Sequence, residues 1–348
     1  MEIGVGNPAV SVVLPTCNRP QTLRGTMESL GRQSVDFSFE ILVVDNGDPT
    51  ITRPLVESFE QEYRNRIPVS YLYEARKGSS YARNKGLENA KGTILAFCDD
   101  DELIDPRWLS VIKRNFDAYP DVVALTGKVV PIDGSVLPQW VNKDVQGALG
   151  LLNHGDEGIV FSKTGTVYDS GKQDHGSFTM IGANMAARTD VLKEIGGFDV
   201  RCLRSQDREL TVRLILAGKK IRYVPDMVTS HICDNRTVKS HFRKWSRMEG
   251  QYRALYQYFE LFTRQGDIGP PNKEVPRILG VSRFVYRQFL EQVWMCVKYN
   301  VKLRRDQAFV HENRAIMLLH YIFSSQRIHA KKTTDQSSRN ISLKRGQL

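Results

Sequence analysis

The first 120 residues repeat one pattern, a short apolar run followed by a stretch with helical spacing. The apolar runs are Val10–Leu14 (VSVVL), Phe39–Val44 (FEILVV), Val69–Tyr73 and Thr93–Cys98 (TILAFC). Between and after them, Gln21–Arg32, Ile51–Arg64, Ser80–Ala90 and Pro106–Tyr119 read as helices. Apolar runs this short, separated by helices, signal βαβ units whose strands are buried on both faces. The chain is therefore expected to be α/β, with a doubly wound, mostly parallel sheet and flanking helices. Ligands of such sheets sit beyond the carboxyl ends of the strands, so those ends are where chemistry is sought.

The rest of the chain is less regular. Asp121–Pro131 reads as a further strand, in either direction. Gly134–Thr179, rich in Gly, Asp, Asn and Ser, reads as a functional loop region. Thr189–Ile195 and Ser205–Ala217 read as helices and Lys220–Val224 as a late strand. Beyond Lys239, Phe242, Trp245, Tyr252, Leu255, Tyr256, Phe259 and Phe262 form a helical stripe. Val285, Phe289, Val293 and Val297 recur every four residues in a second helix. The polar run from Lys331 is expected to be disordered. The division predicted is a nucleotide-binding and catalytic unit over 1–238, a basic helical extension over 239–330 and a tail over 331–348.

Charge supports that division. Of the net +10, residues 239–348 carry +13, with 21 Lys+Arg against 8 Asp+Glu, and residues 1–238 carry −3. The composition, 41% hydrophobic and 25% charged with 26 Gly and 14 Pro, excludes collagen-like and low-complexity classes. Five scattered cysteines without a C-x-x-C spacing argue against a disulfide framework and favour a reducing compartment. The opening MEIGVGNPAVSVVLP has no basic segment before an apolar one, so no signal peptide is expected. Val281–Val297, the most apolar window, carries Arg283, Arg287 and Glu291, so no membrane span is expected either. A cytoplasmic protein is the expectation.

The densest chemical signal is Asp99-Asp100-Asp101-Glu102, directly after the fourth strand. Four consecutive acids are costly to hold together without a cation. Alternate residues of an extended segment face the same way, so Asp99 and Asp101 could share a face. Hard oxygen ligands of this kind suit Mg²⁺ or Mn²⁺; the alternative is a solvated acidic turn before the next helix. At the end of the first strand stands Pro15-Thr16-Cys17-Asn18-Arg19, a ligand site or a helix cap. At the second, Asp45-Asn46-Gly47 could contact a ribose or form an Asx turn. Ser79-Ser80-Tyr81-Ala82-Arg83-Asn84 opens a helix whose N-terminus and Arg83 suit an anion.

Taken in order, these segments resemble the family 2 glycosyltransferases, which have the GT-A fold. VSVVLPTCNRPQTLRGTMESL resembles that family's first strand and helix, and EILVVDNGDPT its acidic nucleotide-binding turn. GSSYARNKGLENAKGTILAFCDDDE resembles its Ala-Arg-Asn helix and DxD metal motif. Ile181–Ala186 and Glu194–Asp199 are similar to its acceptor-side segment, and Gln206-Asp207-Arg208-Glu209-Leu210 to its acidic pair. Tyr223-Val224-Pro225-Asp226 and His231 are similar to its last strand and the histidine that follows. The resemblance covers about residues 9–260.

It implies transfer of a sugar from a nucleotide-diphosphate donor, with UDP the expected nucleotide, to a hydroxyl acceptor with inversion. Carried over residue by residue, it implies donor contacts at Pro15, Thr16, Asn18, Asp45, Asn46, Arg83, Asp99 and Asp100. It implies Mn²⁺ or Mg²⁺ on Asp99, Asp101 and His231, and Asp207 as the base. An ordinary helix-start charge is the alternative for Asp207, and a structural imidazole for His231. Trp140, Asn184 and Gln206, with His154 and His175, are acceptor or sugar candidates by residue type. Gln206 departs from the family, which often has an acid there. A Gln-x-x-Arg-Trp run is only echoed in Arg243-Lys244-Trp245, so addition of a single sugar is expected.

The basic extension has three readings: a helical cap with a solvated face, a peripheral surface for anionic membrane, or a nucleic-acid surface. The second would be explained by an acceptor at the cytoplasmic membrane face, a lipid-linked or surface-polysaccharide precursor. No nucleic-acid-binding motif is present, so the third is set aside. The competing function is a non-catalytic sugar-nucleotide or membrane scaffold on the same fold. A nucleotidyltransferase is discounted because PTCNRP, and no Gly-rich basic loop, follows the first strand.

Overall fold

The computed structural model describes residues 7–132, 149–174, 179–202, 204–231, 239–255, 277–279 and 281–345. Trp140, His175, Tyr256, Phe259 and Phe262 lie outside the described residues. The described residues fall into two compact units, one up to residue 231 and one from residue 239 on.

In the first unit, β1 (Val10–Thr16), β2 (Phe39–Asp45), β3 (Val69–Tyr73) and β4 (Ile94–Cys98) are the four strands expected. They pair in parallel in the order β3-β2-β1-β4. Between them run α1 (Pro20–Gly31), α2 (Pro49–Tyr63) and α3 (Ser79–Asn89). Strand alternation decides which helix covers which face. Val10, Val12 and Leu14 face Leu23, Met27 and Leu30 of α1, with Val56 and Phe59 of α2 in the same core. On the other face Val13 meets α3, so closely that a Cβ on Gly86 would stand 2.4 Å from a Val13 methyl.

The sheet is mixed. After β5 (Glu102–Ile104), α4 (Trp108–Ala118) and β6 (Val122–Pro131), the Gly134–Thr179 region supplies three short strands that the loop reading missed. These are β7 (Ile159–Ser162), β8 (Gly165–Tyr168) and β9 (Gln173–Asp174), which add antiparallel at the β11 edge. β10 (Asn184–Arg188) threads antiparallel between β4 and β6. α5 (Thr189–Glu194) and α6 (Gln206–Leu216) follow, then β11 (Lys220–His231), parallel to β6. β11 extends past the five residues read from the sequence. A register shift between Val224 and Val228 lets it pass a break in the apolar pattern and reach His231.

The second unit contains α7 (Lys239–Leu255), α8 (Arg283–Val301) and α9 (Arg305–Arg345). Its core gathers Ala254, Val281, Val285, Leu318, Tyr321 and Ile322, with Tyr286, Phe289 and Met317 packed against it. The segment 331–345, expected to be disordered, continues the helix of α9. Among the described residues no helix is long and apolar enough to cross a membrane.

Candidate active site

The four-acid run begins where β4 ends, and each acid meets a different environment. The chain leaves the strand after Cys98 and turns through Asp100 and Asp101 before β5 begins. The strand alternation that would put Asp99 and Asp101 on one face is thus interrupted between them. Asp99 Oδ1 accepts from Arg83 Nη2 at 2.8 Å. Asp100 accepts from Thr16 Oγ1 at 2.7 Å and from Arg19 Nη1 at 2.8 Å. Asp101 accepts from Arg19 Nη2 at 2.6 Å. Thr16 thus orients an acid of the run, and Arg19 bridges two of them.

The fourth acid is the one sequence reasoning missed. Antiparallel pairing of β5 with the end of β11 sets Glu102 opposite His231, and Glu102 Oε1 lies 2.5 Å from His231 Nδ1. Asp101 Oδ1 lies 3.5 Å from the same nitrogen. One ligand atom from each of Asp101, Glu102 and His231 can be chosen so that all lie within 4.8 Å of one another. All three side chains are buried. Helix α1 holds β5 in this register: Thr26 Oγ1 donates to the Glu102 carbonyl, and Ser29 Oγ accepts from Ile104 N–H. Glu102 was visible as part of the acid run, but only strand pairing selects it over Asp99 as the neighbour of His231.

Burial dominates the electrostatics. It raises the carboxyl of Asp99 above its ordinary value, against the pull of Arg83; His231 also lowers it, while Asp101 and Asp207 raise it further. These charges therefore lie within electrostatic reach of one another. Burial pushes Asp100 up to about 6, with Arg19 and Thr16 opposing. Glu102 is raised by burial against its hydrogen bond to His231. Two nitrogens of buried Arg83, Nε and Nη1, have no partner among the described residues. An unpaired buried guanidinium edge beside an acidic turn is suited to an anionic ligand.

Several expected contact residues are engaged inside the protein. Asp45 is fully buried and accepts from Gly47 N–H at 2.8 Å and Tyr71 Oη at 2.9 Å, so the Asx turn forms. Asn46 donates to the carbonyls of Glu74 and Arg76 and accepts from Gly78 N–H, tying the β2 and β3 ends to the start of α3. Asn18 accepts from Asp48 N–H, and Pro15 lies in the β1 ladder opposite Val44. Asn184 requires correction. It is 0% exposed, accepts from Trp108 Nε1 and donates to the carbonyls of Lys128 and Met227. With no exposed surface it cannot touch an acceptor; it is a buried link between β10 and its neighbours.

Asp207 stands in the first turn of α6. Its Oδ2 accepts from Gly182 N–H at 2.8 Å and its Oδ1 from Arg208 N–H at 2.8 Å, which fixes the plane of the carboxylate. Gln206 donates to Ser79 Oγ at 2.6 Å, joining α6 to the first turn of α3. His154 packs edge-on against Tyr223 at 5.1 Å.

The mixed sheet, with acids, arginines and a histidine gathered at its strand ends, has the GT-A fold. The mannosyltransferase PcManGT from Pyrobaculum calidifontis, solved with GDP-Man and Mn²⁺, superposes with a TM-score of 0.59. It is 18% identical, and the match covers 92% of this chain and 87% of that one; at that identity the likeness is one of fold. Residues 11–196, more than half of the chain, match the model of glycosyl transferase family 2, and the chain belongs to that family.

Among its relatives, the glucosyl-dolichyl phosphate glucuronosyltransferase of Haloferax volcanii is 26% identical over 203 residues. That match covers 58% of this chain and 59% of the relative. The O-antigen biosynthesis protein RfbC of Myxococcus xanthus is 27% identical over 218 residues, 62% of this chain and 16% of that protein. The matches thus span less than two thirds of either relative's length.

Proposed function

We propose that the chain is an inverting, metal-dependent glycosyltransferase that moves one sugar from a nucleotide-diphosphate donor, a UDP-sugar, to a hydroxyl acceptor. The observation that carries this is the concentration of Asp99–Glu102, Arg19, Arg83 and His231 at the carboxyl ends of β4 and β11, with Asp207 held by Gly182. Two of its relatives, a glucosyl-dolichyl phosphate glucuronosyltransferase and an O-antigen biosynthesis protein, favour a lipid-linked or surface-polysaccharide acceptor.

The donor set of Asp101, Glu102 and His231 offers hard oxygens and one imidazole nitrogen, which fits Mn²⁺ or Mg²⁺. When bound there, the ion supplies positive charge for the departing diphosphate. Asp99 extends the acidic surface toward Arg83, whose two unpaired nitrogens suit an anionic group such as a phosphate. Asp207 takes the proton of the attacking hydroxyl as that oxygen bonds the anomeric carbon, while the bond from that carbon to the β-phosphate oxygen breaks. The hydrogen bonds from Gly182 and Arg208 keep the carboxylate oriented for this without consuming every lone pair.

The test is a thermal-shift panel of UDP, GDP, dTDP and CMP with and without Mn²⁺, alongside a transfer assay. A nucleotide at about 100 times its Kd adds about 2.7 kcal/mol to the folded state. Asp101→Asn is expected to abolish the metal-dependent shift, and Asp207→Asn to keep the shift and lose transfer. Cooperative melting with no shift from any nucleotide overturns the reading; normal cellular function in both variants supports the scaffold alternative.

A further inference from the structure

Helix α8 carries two apolar faces, and among the described residues only one is used inside its unit. Four residues advance an α-helix by about 400°, so a strict four-residue repeat turns by about 40° at each step. Val285 and Phe289 accordingly pack into the core, whereas Val293 and Val297 have rotated out of it. Leu290 is 64% exposed, Trp294 59%, Val297 56% and Val301 78%. With Val293 they make a continuous stripe along the helix. The stripe ends at Leu303, 79% exposed in the turn between α8 and α9.

That turn has a further peculiarity. Leu303 adopts φ 55°, the left-handed conformation that glycine usually supplies after a helix. A leucine held there exposes a large apolar side chain at the tip, between Lys302 and the exposed Arg304 and Arg305. Arg283, Arg287 and Lys298 line the same side of α8, and Lys298 Nζ lies 4.8 Å from the Trp294 ring. Across residues 283–305 these six cations face one acid, Glu291.

We propose that this stripe and tip form a docking surface for anionic lipid headgroups, with α8 lying in the membrane plane and Val301 and Leu303 inserted. Charge selects this occupant. A second copy would bring a like-charged rim against the first, whereas an anionic bilayer complements it and accepts the apolar residues between the cations. The surface differs from the stripe centred on Trp245 and Tyr252 that the sequence suggests. In α7, Phe242 and Ala254 are buried instead. The inference does not require the catalytic reading, but it would bring a lipid-linked acceptor and the enzyme to one surface.

The test is flotation of the full chain with phosphatidylcholine vesicles, with or without roughly one third phosphatidylglycerol. Wild type is expected to float at least about tenfold better with the anionic vesicles and to be released by high salt. Val301→Asp with Leu303→Asp should reduce binding about tenfold or more, and Lys302→Glu or Arg305→Glu about fivefold each. All sites are exposed, so melting temperature and any nucleotide-induced shift should be unchanged; that separates this proposal from the catalytic one. Lack of flotation by cooperatively melting wild type overturns it. So does a concentration-dependent dimer, seen by sedimentation, that the Val301 and Leu303 substitutions abolish.

Discussion

Truncating Asn184 to alanine separates a buried structural role from acceptor recognition. The side chain makes three bonds: Trp108 Nε1 donates to it at 2.8 Å, and its amide donates to the Lys128 carbonyl at 3.0 Å and the Met227 carbonyl at 2.8 Å. Met227 lies within the register shift of β11, where residues between Val224 and Val228 have no β6 ladder partner. Asn184 thus supplies a donor that the interrupted ladder does not. The space is tight: a Cβ on Gly127 would stand 2.0 Å from the Met227 oxygen.

Asn184→Ala strands an indole N–H and two carbonyls without partners. Each buried orphan costs about 1–3 kcal/mol, so the three together should cost about 3–9 kcal/mol, a large part of the roughly 5–15 kcal/mol that holds a domain folded. Trp108→Phe removes only one of the bonds and should cost about 1–2 kcal/mol. Urea unfolding of wild type, both single variants and the double variant measures these values and their coupling. A variant that unfolds like wild type yet no longer transfers sugar would refute the reasoning and return Asn184 to the acceptor site.

Gly86→Ala should destabilise the first unit by about 1–3 kcal/mol through overpacking against Val13, although alanine is the better helix former by about 1 kcal/mol; adding Val13→Ala should recover part of the loss in the same denaturation assay. His154 gives a pH signature. Burial pushes its imidazole down to about 4 from 6.5, so the unfolded chain takes up its proton first as pH falls. Its contribution, about 3 kcal/mol at full extent, is present above pH 6.5 and is lost as pH drops toward 4. The melting temperature of His154→Phe should therefore fall less steeply than that of wild type across that window. An equal slope in both proteins would show that this imidazole is not held neutral.

The amino-acid pattern alone determined the parallel half of the sheet. β1 to β4 and the helices between them follow from apolar runs of strand length alternating with helical spacing, a local signal that survives without tertiary context. It also placed the acid run and Arg83 at element ends, because the residues that punctuate those ends are themselves polar, whereas Asp207 and His231 were singled out by the family resemblance. What followed from long-range pairing was hidden. β10 is a short segment whose antiparallel insertion between β4 and β6 depends on strands about 60 and 90 residues away in sequence. The choice of Glu102 over Asp99 as the neighbour of His231 is decided by the β5–β11 register, 129 residues apart. The outward turn of α8's apolar stripe came from helical geometry that a repeat of four does not respect. Residue types chose the local elements because backbone propensity and periodicity act over a few residues. Which side chains meet was decided only when strands from distant parts of the chain paired, since register fixes side-chain neighbours and no local pattern encodes it.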